Sequence, residues 1–230
     1  MNVNYIIKER LKGSFLYPLF DKTRDYYLYL RRKPYFSQLR EFISPDTSII
    51  TPNCFAGRIM QDLKTQYNSP TLGLYFFAPE YFEFVSNLKY YLTDAKIEFS
   101  DSSKYKLGNG RRKNWPHWNP IGLLDGKVEI EFLHYYTEEE AAEKWYRRAS
   151  RINRDDLLVI GMEQNLCNDQ IMCDFDILPF EKKVFFSTKE MNLHSVVAIE
   201  EFANKSDVGD PYKKGHIFYK YLVNYFDKNK

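Results

Sequence analysis

Two hydrophobic rhythms alternate along the chain. Thr47 to Thr51 is a short β-branched run that reads as a buried strand, and it stops at Pro52-Asn53. A helix-like segment follows, Phe55 to Lys64. Thr71 to Phe77 predicts a second strand, after which Ala78-Pro79 puts a proline in the first turn of the next helix. In that helix, Glu80 to Leu92, apolar residues at 81, 84, 85, 88 and 92 keep a helical period. Ala95 to Phe99 predicts a short third strand. Ile121 to Leu124 and Lys127 to Tyr135 flank Asp125-Gly126, a dipeptide suited to the positive φ angles of a tight hairpin turn. On the second arm, Val128, Ile130, Phe132 and His134 share a face. Thr137 and Glu140 form a capping box, opening a helix to about Arg151 that is acidic early and basic late. Leu157 to Met162, Lys183 to Ser187 and Ser195 to Ile199 add strands, and His216 to Asp227 reads as a closing helix. The pattern predicts an α/β chain with a mixed, mostly parallel sheet flanked by helices and one β-hairpin.

Residues 1–45 break this rhythm. They mix Tyr, Phe and Leu with Lys and Arg, and Pro18, Pro34 and Pro45 divide them into short helices. We expect a helical N-terminal extension packed on a single α/β domain, 46–230. A basic-aromatic surface of this kind also suits peripheral contact with a membrane or an acceptor glycan. A second irregular stretch, residues 100–119, holds Arg111-Arg112-Lys113 and Trp115-Pro116-His117-Trp118. Arg111 offers a fork for phosphate and Trp118 a flat face for a sugar ring, as a lid over a ligand would.

Composition narrows the function. The 230 residues carry 33 Lys and Arg against 31 Asp and Glu, which argues against a nucleic-acid binder. The three cysteines, Cys54, Cys167 and Cys173, form no paired framework, and no leader is evident, so a reducing cytoplasm is expected. Their spacing suits no metal, so no metal site is expected. No apolar run is long enough to span a membrane. Phosphate-binding and dinucleotide-binding glycine loops are missing, so nucleotide hydrolysis and dinucleotide redox chemistry have no support in the sequence.

The candidate chemistry centres on Cys54. It falls where a strand turns into a helix N-terminus, a position that lowers a thiol pKa and whose backbone N–H groups can bind an anion or a hydroxyl. The alternative is a small buried hydrophobe. His134 lies near the end of a strand and could meet Cys54 if the two strands are parallel neighbours, giving a nucleophile and its base, or it could be a satisfied core residue on the inward face with Val128, Ile130 and Phe132. Trp145, Arg148 and Arg151 share helical spacing and could stack on a sugar and hold an anion, or could be core and solvated residues. Asp174-Phe175-Asp176 has an acid-x-acid form but little specificity.

Several blocks read together. Asn53-Cys54-Phe55-Ala56-Gly57-Arg58, Asn68-Ser69-Pro70-Thr71, Phe132-Leu133-His134-Tyr135, Glu143-Lys144-Trp145-Tyr146-Arg147-Arg148 and Leu178-Pro179-Phe180 resemble the motifs of a bacterial exopolysaccharide-biosynthesis family of unknown function. The resemblance covers about residues 45–228. It implies a role in making or decorating surface polysaccharide, and it draws attention to Asn53, Cys54, Gly57, Arg58, His134, Trp145, Arg148 and Arg151. One reading is a glycan-modifying transferase with Cys54 as nucleophile and His134 as base. The other is a glycosyltransferase, or a nucleotide-sugar or glycan-binding assembly factor, without covalent catalysis. No bound cofactor is evident. The donor is open between a nucleotide-sugar and an acyl-CoA, and the acceptor is a glycan or glycolipid. The oligomeric state is open, and the expected location is the cytoplasm, at or near the inner face of the membrane.

Overall fold

Parallel strands need crossovers, and crossovers bury both faces of a sheet. That requirement shapes the computed structural model, which describes residues 17–113 and 119–229. In chain order the elements are α1 (Tyr17–Arg32), a 3₁₀ turn (Lys33–Tyr35), α2 (Phe36–Phe42), β1 (Ser48–Ile50), α3 (Phe55–Leu63), α4 (Ala78–Ser86), α5 (Leu88–Thr93) and β2 (Ile97–Ser100). Then come α6 (Lys106–Lys113), β3 (Ile121–Leu124), β4 (Val128–Glu131), α7 (Glu138–Ala149), β5 (Leu157–Met162), α8 (Asp169–Asp176), β6 (Lys182–Ser187), β7 (Val196–Ala198) and α9 (Gly215–Lys228).

The strands form two sheets. A parallel sheet has the order β1-β5-β6-β7, and a smaller antiparallel sheet has the order β2-β3-β4. The mixed α/β class therefore holds, with the helical N-terminal region in place. The Asp125-Gly126 hairpin forms as the dipeptide requires, with φ of 47° and 65° at the turn. It lies in its own sheet with β2 rather than at the edge of the parallel one.

Strand alternation separates two cores. Ile49, Leu158, Ile160, Met162, Val184 and Phe186 face α2, α3 and α9. Ile50, Val159 and Phe185 face α4, α5, α7, α8 and the antiparallel sheet. Each fully buried side chain of this size contributes roughly 1.5–3 kcal/mol. On the second face Gly161 carries no side chain, and a Cβ there would lie 2.1 Å from the ring of Phe185. The ring occupies the place of the missing side chain.

Two predicted elements differ. Thr71–Phe77 is not a strand. It turns at Gly73 (φ +76°) and makes an isolated bridge, Tyr75 to Glu131, while Phe76 N donates to Pro52 O at 2.8 Å. The segment stitches the end of β1 to β4 and so links the two sheets. The predicted helix over 80–92 breaks at Asn87, whose φ is −121° and whose Nδ2 donates back to Glu83 Oε1 at 3.2 Å. Side chain and backbone compete for the same partners there, giving α4 and α5. Part of the expected lid, residues 106–113, is helix α6. Trp115 and Trp118 lie outside the described residues.

Candidate active site

The site begins with how β1 hands over to α3. The Thr51 hydroxyl donates to Asn53 O at 2.6 Å and accepts from Ala56 N at 3.2 Å. Asn53 Oδ1 accepts from Phe55 N at 3.0 Å. Two early N–H groups of α3 are thereby occupied by the chain's own side chains. The sequence reading offered these groups to a ligand or to the Cys54 thiol, and that expectation is corrected.

Asn53 also reaches sideways. Its Nδ2 donates to Gln164 Oε1 at 2.8 Å, and Gln164 Nε2 donates to Gly209 O at 2.6 Å. This amide chain ties the carboxyl ends of β1 and β5 to the loop before α9. That loop turns at Gly209 (φ +70°), with Asp207 Oδ1 accepting from Gly209 N at 2.7 Å. Asp210 Oδ1 accepts from Tyr212 N at 3.0 Å, and Asp210 Oδ2 pairs with Lys213 Nζ at 3.1 Å. The Arg58 guanidinium stands 3.7 Å over the Tyr212 ring, and Arg58 Nη1 donates to Gln61 Oε1 at 2.9 Å.

Between these parts lies a cavity of about 760 Å³ at the carboxyl ends of the parallel strands. Open α/β sheets collect ligands at this edge. Asn53, Cys54 and Gly57 line it from the β1–α3 junction, and Gly73, Tyr75 and His134 from the stitching segment and the turn after β4. Gln164, Asn165, Asp207, Asp210 and Tyr212 close the other side. Cys54 Sγ donates to Leu74 O at 3.9 Å, and His134 N donates to Gly73 O at 3.0 Å. The thiol and the histidine thus flank one short piece of backbone. They do not come from parallel neighbours, since β4 lies in the other sheet. His134 is exposed in the turn after β4 rather than on its inward face.

Burial pushes the Cys54 thiol up to about 12, the Asp210 carboxylate adds to the shift, and a hydrogen bond from the Gly73 backbone opposes it. This reverses the lowering expected from the helix N-terminus. Desolvation of a thiolate outweighs a helix end at which two early N–H groups are already used. Cys167 is also pushed up to about 12, by burial first and then by Glu163 and Asp169.

The remaining candidates divide. Arg111, on α6, lines the cavity with its guanidinium 4.4 Å from the Tyr75 ring, and it pairs with the buried Glu131 at 3.4 Å. Arg58 and Gly57 belong to the site's edge. Trp145 is placed elsewhere. It is 1% exposed and packs against Phe84 and Phe132 with ring centroids 5.7 and 6.4 Å away. Arg148 lies beneath the site, donating to Leu72 O at 3.2 Å and to the Tyr135 hydroxyl. Arg151 is exposed just beyond the end of α7, away from the cavity lining. In Asp174-Phe175-Asp176, Asp176 holds Ser195 through its hydroxyl and backbone N–H, both at 2.6 Å. Among the described residues no group of three or more His, Cys, Asp or Glu is arranged to hold a metal.

Sequence reasoning missed Gln164, Asn165, Asp207, Asp210 and Tyr212. The Asp207-Val208-Gly209-Asp210-Pro211 stretch carries a turn signal that marks a loop, yet nothing local says which cavity the loop closes.

A family model described as "Domain of unknown function (DUF1919)" matches residues 26–230. The chain belongs to that family. The match spans α1 from Tyr26 onward, both sheets and every residue placed around the cavity. An uncharacterized protein of Haemophilus influenzae (strain ATCC 51907 / DSM 11121 / KW20 / Rd) is similar to the chain, 30% identical over 172 residues, or 74% of this chain and 76% of that protein. Among the described residues no helix is long and apolar enough to cross a membrane.

Proposed function

We propose that the protein is a transferase of bacterial surface-polysaccharide biosynthesis that modifies a glycan in the cavity between α3 and the 207–213 loop. The observation that carries this reading is the placement of Cys54 and His134 on either side of the Gly73–Leu74 backbone in one cavity. The lining supports a carbohydrate ligand. The Asn165 amide and the carboxylates of Asp207 and Asp210 match hydroxyl groups, and the exposed Tyr67 and Tyr212 offer faces to a sugar ring. The similarity of the motif blocks to exopolysaccharide-biosynthesis proteins points to the same substrate class.

In this reading Cys54 rests as a neutral thiol. As the donor enters and expels water, His134 takes the thiol proton and Sγ attacks the donor's carbonyl carbon. His134 returns the proton to the leaving group; it then takes the proton of a glycan hydroxyl as that oxygen attacks the acyl carbon, and passes it to Sγ as the thioester bond breaks, restoring the thiol. Incubation with acyl-CoA donors followed by intact-protein mass spectrometry tests the step. An adduct on Cys54 that disappears in Cys54→Ala supports it.

A second reading is favoured by the upward push on Cys54. Here His134 activates the acceptor hydroxyl directly and a nucleotide-sugar is the donor, with no covalent intermediate. Transfer retained by Cys54→Ala and abolished by His134→Ala selects this reading over the first.

A further inference from the structure

The outward face of α1 presents aromatic and aliphatic side chains to solvent. Tyr26 is 63% exposed, Tyr27 57% and Leu30 45%. Tyr26 and Leu30 stand one turn apart, so they form a single stripe. Tyr29 stacks on Tyr26 at 6.4 Å and meets Phe36 edge-on at 5.7 Å, which fixes the stripe to the body of the fold. Lys22 and Lys33 lie along one side of the stripe. Arg31 lies along the other, 5.9 Å from the Tyr27 ring.

The inner face of the same helix is anchored. Arg32 is 2% exposed and ion-pairs with Asp62 on α3. The C-terminal end of the helix is therefore tied to α3, and its aromatic stripe belongs to neither core. Within residues 17–45 six Lys and Arg stand against three Asp and Glu; Arg32 among them is buried, and Arg24 pairs with Asp25 at 3.0 Å.

We propose that this face of α1 docks the protein on an anionic lipid surface. Tyr rings and Leu30 enter the headgroup region, where amphipathic rings are most stable, while Lys22, Arg31 and Lys33 meet lipid phosphates from the flanks. A protein partner would favour a drier patch with fewer flanking cations. The inference does not depend on the reaction proposed above.

Co-sedimentation of the full chain with phosphatidylglycerol-rich vesicles tests it, with pure phosphatidylcholine vesicles as the control. The expected result is binding to the anionic vesicles alone, reversed by several hundred millimolar NaCl. The triple variant Lys22→Glu, Arg31→Glu, Lys33→Glu should bind about a hundredfold more weakly. Tyr26→Ser with Leu30→Asp should weaken binding about tenfold. Because all these positions are exposed, unchanged melting curves serve as the control for folding. Absence of sedimentation, or binding unchanged by charge reversal, overturns the proposal. So does binding to a soluble acidic polysaccharide but not to vesicles, which assigns the face to glycan. A concentration-dependent dimer lost in Leu30→Asp assigns it to a second copy and overturns it equally.

Discussion

Arg32 and Asp62 form a two-pronged ion pair beneath the protein surface. Arg32 Nε donates to Asp62 Oδ2 at 2.5 Å and Nη2 to Oδ1 at 3.1 Å, while the Tyr219 hydroxyl donates to Asp62 Oδ2 at 2.9 Å. Three distant elements, α1, α3 and α9, meet at one carboxylate. Removing one partner leaves a buried charge without compensation. Arg32→Ala is expected to cost about 3–5 kcal/mol, while Arg32→Met with Asp62→Leu should recover most of that loss. Urea unfolding of the two variants checks the difference.

Gly161 and Phe185 set a second expectation. Gly161→Ala forces a Cβ to within 2.1 Å of the Phe185 ring, so the strand or the ring must move. The expected loss is about 3 kcal/mol. Phe185→Leu should relieve part of it in the double variant, which thermal unfolding can measure.

For Trp145 the expected effect is on stability alone. Its burial between Phe84 and Phe132 predicts that Trp145→Ala costs about 3–5 kcal/mol. Trp145→Phe should cost far less. If Trp145→Phe folds normally but loses affinity for a ligand of the cavity, the core assignment is wrong.

Cys54 should react slowly with iodoacetamide at neutral pH, because its thiol is pushed up to about 12. The rate should climb steeply above pH 9. Asp210→Asn removes the neighbouring negative charge and should accelerate labelling at every pH. A rate–pH profile with mass mapping of each cysteine checks both statements.

The same shift has a consequence for stability. In the unfolded chain the Cys54 thiol ionises near its ordinary value of 9.0, whereas in the folded protein it stays neutral up to about 12. Between those values the unfolded state binds fewer protons, so stability falls as pH rises. Below pH 9 the group contributes no slope. Cys54→Ala should flatten the decline in urea midpoint between pH 9 and 11, although Cys167 and Tyr75, pushed up to about 12 as well, leave a residual slope.

Local chemistry made much of this protein legible in its sequence. The Asp125-Gly126 turn and the Thr137 cap of α7 depend on neighbours within a few residues, and β5, β6 and α9 show in the local apolar pattern even though the strands pair with distant ones. Thr71–Phe77 departs from its predicted strand for a related reason. Its β-rich composition is real, but its partners, Pro52 and Glu131, lie in different sheets, so a bridge forms in place of a strand. Asn53 and Cys54 could be picked out by their position after a strand, whereas Trp145 shares its helical spacing with functional and core residues alike.

The α/β class, the strand–turn–helix junction at Cys54 and the basic-aromatic character of the N-terminal region follow from periodicity, turn chemistry and charge, which are local properties. That Cys54 and His134 share one cavity, that Asp210 stands near the thiol, and that Trp145 and Arg148 belong to the packing beneath it emerge from the folded arrangement alone. Those relationships join residues far apart along the chain. They arise because burying the apolar faces of two sheets on shared helices fixes where each strand end points. The thiol's state follows from the same cause, since burial and a carboxylate from a distant loop outweigh what a helix N-terminus supplies locally.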